Sequence, residues 1–287
     1  GLHAYMKWDG ALITDSGGFQ IIRKNFGLKS DEDGLKFKDF FSGAKREYTP
    51  EMCMDIQKAI GSDVCMLLDD CPKWDDSQSR MKECVERTVR WAKVGVEHGR
   101  KLGVPNIFAI VQGGTNAEVR EWCARELSKL EPDGFGIGGL SIGEPKEKMM
   151  KTLEESTHFL DETKPRYLMG VGSIRELLDA VALGVDIFDS VFPTQLARHG
   201  SIFARKGRFN MRSKKMNGDD RPLDPDCSCK VCKTYSRSYI NHLLREKEML
   251  GMRLTSFHNL HYILDAVRQA REAIVQGCFE EFSKEWQ

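Results

Sequence analysis

Ile107-Phe108-Ala109-Ile110-Val111-Gln112-Gly113-Gly114 is an unbroken apolar run that stops at an amide and two glycines. A run this short, with no polar alternate, reads as a strand covered on both faces. Amphipathic stretches flank it at 78–102 and 117–130, each long enough for a helix. The same unit recurs along the chain. Strand-like runs fall at 11–14, 64–68, Gly134–Ile137, 166–169 and 187–189, with helical patterns at Pro50–Ile60, 146–160 and 173–183. Strict alternation of strand and helix predicts parallel strands in an α/β fold. Six such units fit a TIM-type (β/α)8 barrel or a doubly wound sheet. The residues after the strands choose between them. They read Asp15-Ser16-Gly17-Gly18, Asp69-Asp70-Cys71, Gln112-Gly113-Gly114, Gly138-Gly139-Leu140, Gly170-Val171-Gly172 and Asp189-Ser190. One polar set from six successive strand ends is the barrel pattern, whereas a doubly wound sheet gathers its ligand at one switch point.

After Gly200 the alternation stops. A basic, glycine-bearing hairpin runs to Asn217, the turn Pro222-Leu223-Asp224-Pro225 follows, and helical stretches are expected at 236–250 and 260–273. This divides the chain into a barrel portion, 1–200, and a segment 201–287 with hairpin, cysteine cluster and terminal helices. Three cysteines crowd together in Cys227-Ser228-Cys229-Lys230-Val231-Cys232. Thiolates at that spacing converge on one soft cation, and a histidine would complete a structural zinc site. His242, His258 and His261 are near in sequence, and spacing alone leaves the choice open. The other six cysteines, Cys53, Cys65, Cys71, Cys84, Cys123 and Cys278, are scattered as reduced core thiols rather than a disulfide framework, which fits a cytoplasmic protein. With 43 basic and 43 acidic residues, no global field announces a nucleic acid or a membrane, yet 198–237 holds eleven Lys/Arg against four Asp/Glu. No apolar run approaches the ~18 residues of a membrane span.

Asp15, Asp69 and Asp189 are the candidate carboxylates. With Gln112 and bare N–H groups at glycine turns, they suit a planar heterocycle with a donor and acceptor edge. Two carboxylates could divide nucleophilic and acid/base work, as in retaining glycosyl transfer. Dinucleotide and phosphate-binding glycine loops are absent, as is a zinc-protease histidine pair. Ser16 and Ser190 have no histidine partner in the pattern and read as turn residues.

Asp15-Ser16-Gly17-Gly18-Phe19-Gln20, Val111-Gln112-Gly113-Gly114, Ile137-Gly138-Gly139-Leu140, Tyr167-Leu168-Met169-Gly170-Val171-Gly172, Phe188-Asp189-Ser190-Val191-Phe192-Pro193-Thr194 and the cysteine cluster resemble, in order and spacing, the tRNA-guanine transglycosylases of the bacterial and eukaryotic branches. That resemblance implies a zinc-bearing TIM-type barrel that exchanges guanine at the wobble position of GUN-anticodon tRNAs for a 7-deazaguanine, acting as a homodimer on the tRNA anticodon loop. By the same likeness Asp189 is the nucleophile and Asp15 the general acid/base. Asp69, Gln112, Gly139, Leu140, Met169, Phe19 and Cys71 surround the base, and Cys227, Cys229, Cys232 and His258 bind Zn2+. Gln195 stands where relatives usually carry an arginine that reads the anticodon loop, whereas Arg198 is retained. Phe19 replaces a tyrosine common in bacterial relatives. Ile142 stands where eukaryotic relatives have glycine, which favours preQ1 over the bulkier queuine. A queuine-salvaging enzyme, a non-catalytic tRNA-binding subunit and a DNA-modifying relative are the alternatives. Relatives also have a segment before the stretch matching Gly1 that supplies the first barrel strands, so the resemblance implies strands outside this sequence.

Overall fold

The computed structural model describes residues 1–23, 29–39 and 41–286. Its six-stranded sheet consists of β1 (Ile13–Thr14), β2 (Val64–Met66), β3 (Ile107–Val111), β4 (Gly134–Ile137), β5 (Arg166–Leu168) and β6 (Ile187–Phe188), in sequential spatial order. The pairings from β1 through β5 are parallel, with Ile13 opposite Val64, Cys65 opposite Ile107, Phe108 opposite Gly134 and Phe135 opposite Arg166. Sequential order with a helical crossover after most strands is the TIM-type arrangement. Every residue of β3, β4 and β5 is buried, as the non-alternating runs require.

Contacts divide the chain into two compact units. The first comprises 1–169 and 183–187, the second 170–182 and 188–287. In the first, Met66, Phe108, Ile110 and Tyr167 form one core cluster, with Met169 and Ile187 packed against it. Three of the crossover helices start at side-chain caps. Thr49 Oγ1 accepts the Met52 N–H, Ser77 Oγ accepts that of Arg80, and Asn116 Oδ1 that of Val119. Helix Gln78–Lys101 buries a stripe that includes Cys84, Thr88, Trp91 and Gly95. An antiparallel sheet of Lys29–Ser30, Leu35–Lys38 and Lys45–Tyr48 lies between β1 and helix Pro50–Ile60, and no strand was expected there.

In the second unit the expected hairpin is present, Ser201–Ile202 pairing with Phe209–Asn210. The terminal helices differ from expectation. Helix Arg237–Arg245 ends earlier, and a continuous helix runs Met249–Val275. The break falls at 246–248, where Lys247 takes a left-handed φ of 61° and the Glu248 N–H closes back onto the Leu243 carbonyl. The stretch 251–259 around His258, which fell between the two expected helices, lies inside this one. Among the described residues, no helix is long and apolar enough to cross a membrane.

Candidate active site and metal centre

In the first unit, the strand ends bring Asp69 and Gln112 together. Asp69 is 4% exposed, and its carboxylate accepts the Gln112 Nε2–H at 2.6 Å and the Ser16 hydroxyl at 3.2 Å. Among the described residues, no cation is a hydrogen-bond partner of this carboxylate. Burial, then the negative charge of Asp15, push its pKa up to about 7, against smaller opposing effects of the Gln112 and Ser16 hydrogen bonds. Asp69 can therefore present either a proton or a lone pair near neutrality. The adjacent Asp70 is fully buried and oppositely arranged, with Arg80 and Arg87 on its carboxylate and the Thr88 hydroxyl on its N–H. One carboxylate of the pair is thus locked in an ion-pair network while its neighbour is held by neutral donors.

Gln112 is oriented by its turn. Its Oε1 is buried with no protein donor. A Cβ on Gly139 would lie 2.5 Å from that Oε1, and one on Gly138 would lie 2.5 Å from Nε2. Gly139 also has φ +67°, so the close approach and the backbone both demand glycine. Arg120, which the sequence reading missed, lies beneath these turns. It is fully buried, with Nε donating to the Gly114 carbonyl at 2.6 Å, Nη2 to Gly138 at 2.7 Å and Nη1 to Val111 at 3.4 Å. Desolvation lowers its pKa to about 10, so it stays cationic. The available signal was its place in the apolar stripe Arg120, Cys123, Ala124, Leu127 of helix Ala117–Ser128.

Of the other residues expected about the base, Leu140 and Cys71 are buried, and Met169, Phe19 and Ile142 are half-buried. Burial raises the Cys71 thiol far above the usual range, so it is an apolar wall rather than a nucleophile. Glu144 accepts the N–H groups of Ser141 and Ile142, the latter at 3.0 Å, which fixes the loop carrying Ile142. Asp15 is exposed and accepts the Gln20 side-chain amide at 3.1 Å. Its neighbour Ser16 serves Asp69 and the Gly18 N–H, a turn role rather than a nucleophilic one.

In the second unit, Asp189 is exposed, and its Oδ1 accepts the Gly170 N–H at 2.9 Å. Ser190 Oγ accepts the Phe192 N–H at the start of helix Phe192–Arg198, whose outer face presents Gln195 and Arg198. Asn259 ties this helix down. Its side-chain amide donates to the carbonyls of Pro193 and Ser201, and its Oδ1 accepts the Phe203 N–H. Of the basic stretch, Arg205, Arg212, Arg221 and Arg237 have intramolecular acceptors, while Lys206, Arg208, Lys214, Lys215, Lys230 and Lys233 point outward.

Cys227, Cys229, Cys232 and His258 converge, with all four ligand atoms within 4.8 Å of one another. The three sulfurs lie 3.7, 3.5 and 3.3 Å from His258 Nδ1. A tetrahedral zinc with ordinary Zn–S and Zn–N bonds separates sulfur from nitrogen by about 3.6 Å. The donor set fits that ion. His258 is fully buried, and its Nε2 lies 2.8 Å from the Phe203 carbonyl, which fixes the proton on Nε2 and frees Nδ1 for metal. Of the other two histidines, His242 is exposed and His261 is half-buried against the Ser228 hydroxyl.

A parallel sheet that ends in a carboxylate–amide pair, in a chain with a three-thiolate, one-imidazole cluster, defines an α/β enzyme of TIM type with a metal-ligating module. A family model described as queuine tRNA-ribosyltransferase matches residues 1–287. A queuine tRNA-ribosyltransferase of Bacillus velezensis is 46% identical over 287 residues, covering all of this chain and 75% of the relative. Those of Bacillus subtilis and Fusobacterium nucleatum are 44% and 43% identical, with this chain covered completely and 75% and 77% of the relatives covered. The chain belongs to the queuine tRNA-ribosyltransferase family, the tRNA-guanine transglycosylases of bacterial type, which are pentosyltransferases.

Proposed function

We propose that this protein replaces guanine at the wobble position of GUN-anticodon tRNAs with a 7-deazaguanine, preQ1 by preference, through double displacement in queuosine biosynthesis. The observation that carries this reading is the Asp69–Gln112 pair at 2.6 Å beside the Gly138-Gly139 turn. An amide oxygen without a protein donor, a carboxyl near its titration point and glycine backbone form a hydrogen-bonding edge suited to a purine-like base. In this reading Asp69, Gln112, Gly139 and Leu140 bind that edge, and Met169, Phe19 and Cys71 supply apolar walls. Asp189 attacks the ribose anomeric carbon as the glycosidic bond to guanine breaks, and Asp15 delivers a proton to the departing base. The incoming base loses its proton to Asp15 and attacks the same carbon, which releases Asp189. An oxocarbenium-like state that a carboxylate stabilises and then captures makes both steps accessible without ATP. Reaching the ribose requires the nucleoside to leave its stack, which fits a loop substrate.

Ile142 supports the preQ1 preference. Its loop is held by Glu144, so its side chain limits the room beside the base. Cys227, Cys229, Cys232 and His258 would hold zinc in a shell filled by protein donors, leaving the ion a structural part. Arg198 and Gln195 are assigned to the RNA, with the exposed lysines of the basic stretch supplying phosphate contacts. Gln195 lacks the forked cation of an arginine, so it makes weaker phosphate contacts. In this division 1–200 is the barrel portion that makes and breaks bonds and also carries Gln195 and Arg198, and 201–287 adds the basic hairpin, the zinc segment and the terminal helices. The protein is read as a cytoplasmic homodimer. The test is incorporation of labelled guanine or preQ1 into a GUN tRNA by wild type and Asp189→Ala. Incorporation by wild type alone is expected. Equal incorporation by Asp189→Ala removes the nucleophile assignment, and none by wild type leaves a tRNA-binding subunit.

A further inference from the structure

We propose that Arg120 is a positioning residue that sets affinity for the incoming base by holding the two turns that present Gln112 and Gly139. This rests on the proposed reading of those turns as the base-binding edge.

Arg120 is fully buried, and its hydrogen bonds go to three backbone carbonyls rather than to a carboxylate. A buried cation without a hydrogen-bonded anion costs more than an apolar residue of the same volume. The rest of its helix stripe, Cys123, Ala124 and Leu127, is apolar and buried, so packing alone would be served by methionine or leucine. What the guanidinium adds is direction. Val111 ends β3, Gly114 closes the turn after Gln112, and Gly138 begins the turn after β4. One rigid planar group therefore spans the backbone on both sides of the Gln112 side chain. The Val111 carbonyl also receives the Gly138 N–H at 3.1 Å, so the fork joins two turns that already touch.

The surrounding contacts leave little slack. A Cβ on Gly113 would meet Arg120 Cγ at 2.8 Å and the Arg120 backbone nitrogen at 2.9 Å. A Cβ on Gly139 would lie between Gln112 Oε1 at 2.5 Å and Arg120 Nη2 at 3.6 Å. The Gly138-Gly139 turn thus meets both the guanidinium and the base-reading amide, while the Gly113-Gly114 turn packs on the Arg120 stem and backbone and gives its Gly114 carbonyl to the guanidinium. Without the fork, the carbonyls of Gly114 and Gly138 lose a charged donor and turn to find another, and the Gln112 amide moves with them. No atom of Arg120 is assigned to the substrate. It acts through Gln112 and Gly139.

The experiment is steady-state base exchange into a GUN tRNA by wild type, Arg120→Met and Arg120→Lys, with KM for base, KM for tRNA, kcat and zinc content measured together. Arg120→Met should raise KM for the base by about tenfold or more, while KM for tRNA and kcat stay within about threefold. Arg120→Lys keeps the charge but loses the fork, and should fall between wild type and methionine. An unchanged KM for base in either zinc-replete variant overturns the proposal. So does a parallel rise in KM for base and tRNA, which marks a general packing role. If Arg120→Met does not fold, Arg120→Lys decides by the same criterion. Wild type that exchanges no base defeats the underlying functional reading and this proposal with it. Wild-type exchange with unmoved base KM in the variants defeats this proposal alone.

Discussion

Gly139 and Gly103 have nearly the same backbone, φ +67° and +66°, in different surroundings. A Cβ on Gly103 meets nothing within 4 Å, while one on Gly139 meets Gln112 Oε1 at 2.5 Å. Alanine at either site bears the left-handed backbone penalty, about 1–2 kcal/mol. At Gly139 it must also push the Gln112 amide aside, and that amide donates the 2.6 Å hydrogen bond to Asp69. Losing a hydrogen bond to a charged group costs about 1.5–3 kcal/mol. Urea unfolding should therefore show Gly103→Ala destabilised by the backbone penalty alone and Gly139→Ala by about twice as much or more. Base exchange should separate them further. KM for the base should stay within twofold in Gly103→Ala and rise at least about tenfold in Gly139→Ala, since tenfold corresponds to 1.4 kcal/mol. Equal unfolding midpoints and equal base KM in the two variants would refute the claim that the Gly138-Gly139 turn exists to seat Gln112.

Asp69 has a folded pKa of about 7, above the ordinary 3.8, so the native state holds a proton that the unfolded chain has released between those values. Its contribution to stability accordingly falls as pH rises from about 4 to 7 and is lowest above 7. Asp69→Asn should gain stability relative to wild type across that window when melting is followed at successive pH values, and a difference that stays flat with pH would contradict the assignment. Cys229→Ala and His258→Ala should each reduce bound zinc from one equivalent to none by metal analysis and lower Tm, whereas His242→Ala keeps the metal; retention by His258→Ala would reject the ligand set. Ile142→Gly should raise exchange of queuine relative to preQ1 by about tenfold, the scale of an apolar side chain's steric exclusion, and equal use by wild type and variant would remove the steric argument.

The alternation of buried runs with amphipathic stretches was readable because each strand is covered on both faces. The bounds Ile107–Val111 and Gly134–Ile137 agree with the runs residue for residue. The cysteine cluster was readable because three ligands lie on one short stretch. The fourth lies inside helix Met249–Val275, and only the fold, or a resemblance, singles out His258. The antiparallel sheet at 29–48 went unread although Leu35, Phe37, Arg46 and Tyr48 fall on alternating positions. Charged residues interleave there on a half-exposed surface, which dilutes the period-two signal. The helix break at 246–248 was displaced because no glycine or proline marks it; Lys247 adopts the left-handed turn instead. Arg120 escaped notice, and Asp70, quoted at its strand end, was given no part of its own, for a shared reason. Charged residues default to a solvated reading, and burial with satisfied partners is a property of the tertiary structure. Asp15 and Asp189 stood out through their strand-end positions alone, and their chemical roles depend on the substrate.

The central claim, bond exchange through a carboxylate-linked RNA, is tested most directly by quenching the reaction under denaturing conditions and mapping the protein–RNA adduct by mass spectrometry. Wild type incubated with a GUN tRNA should yield an adduct through Asp189, absent in Asp189→Ala, and free base should reverse it in wild type. An adduct at another residue, or full exchange by Asp189→Ala with no adduct, would contradict it.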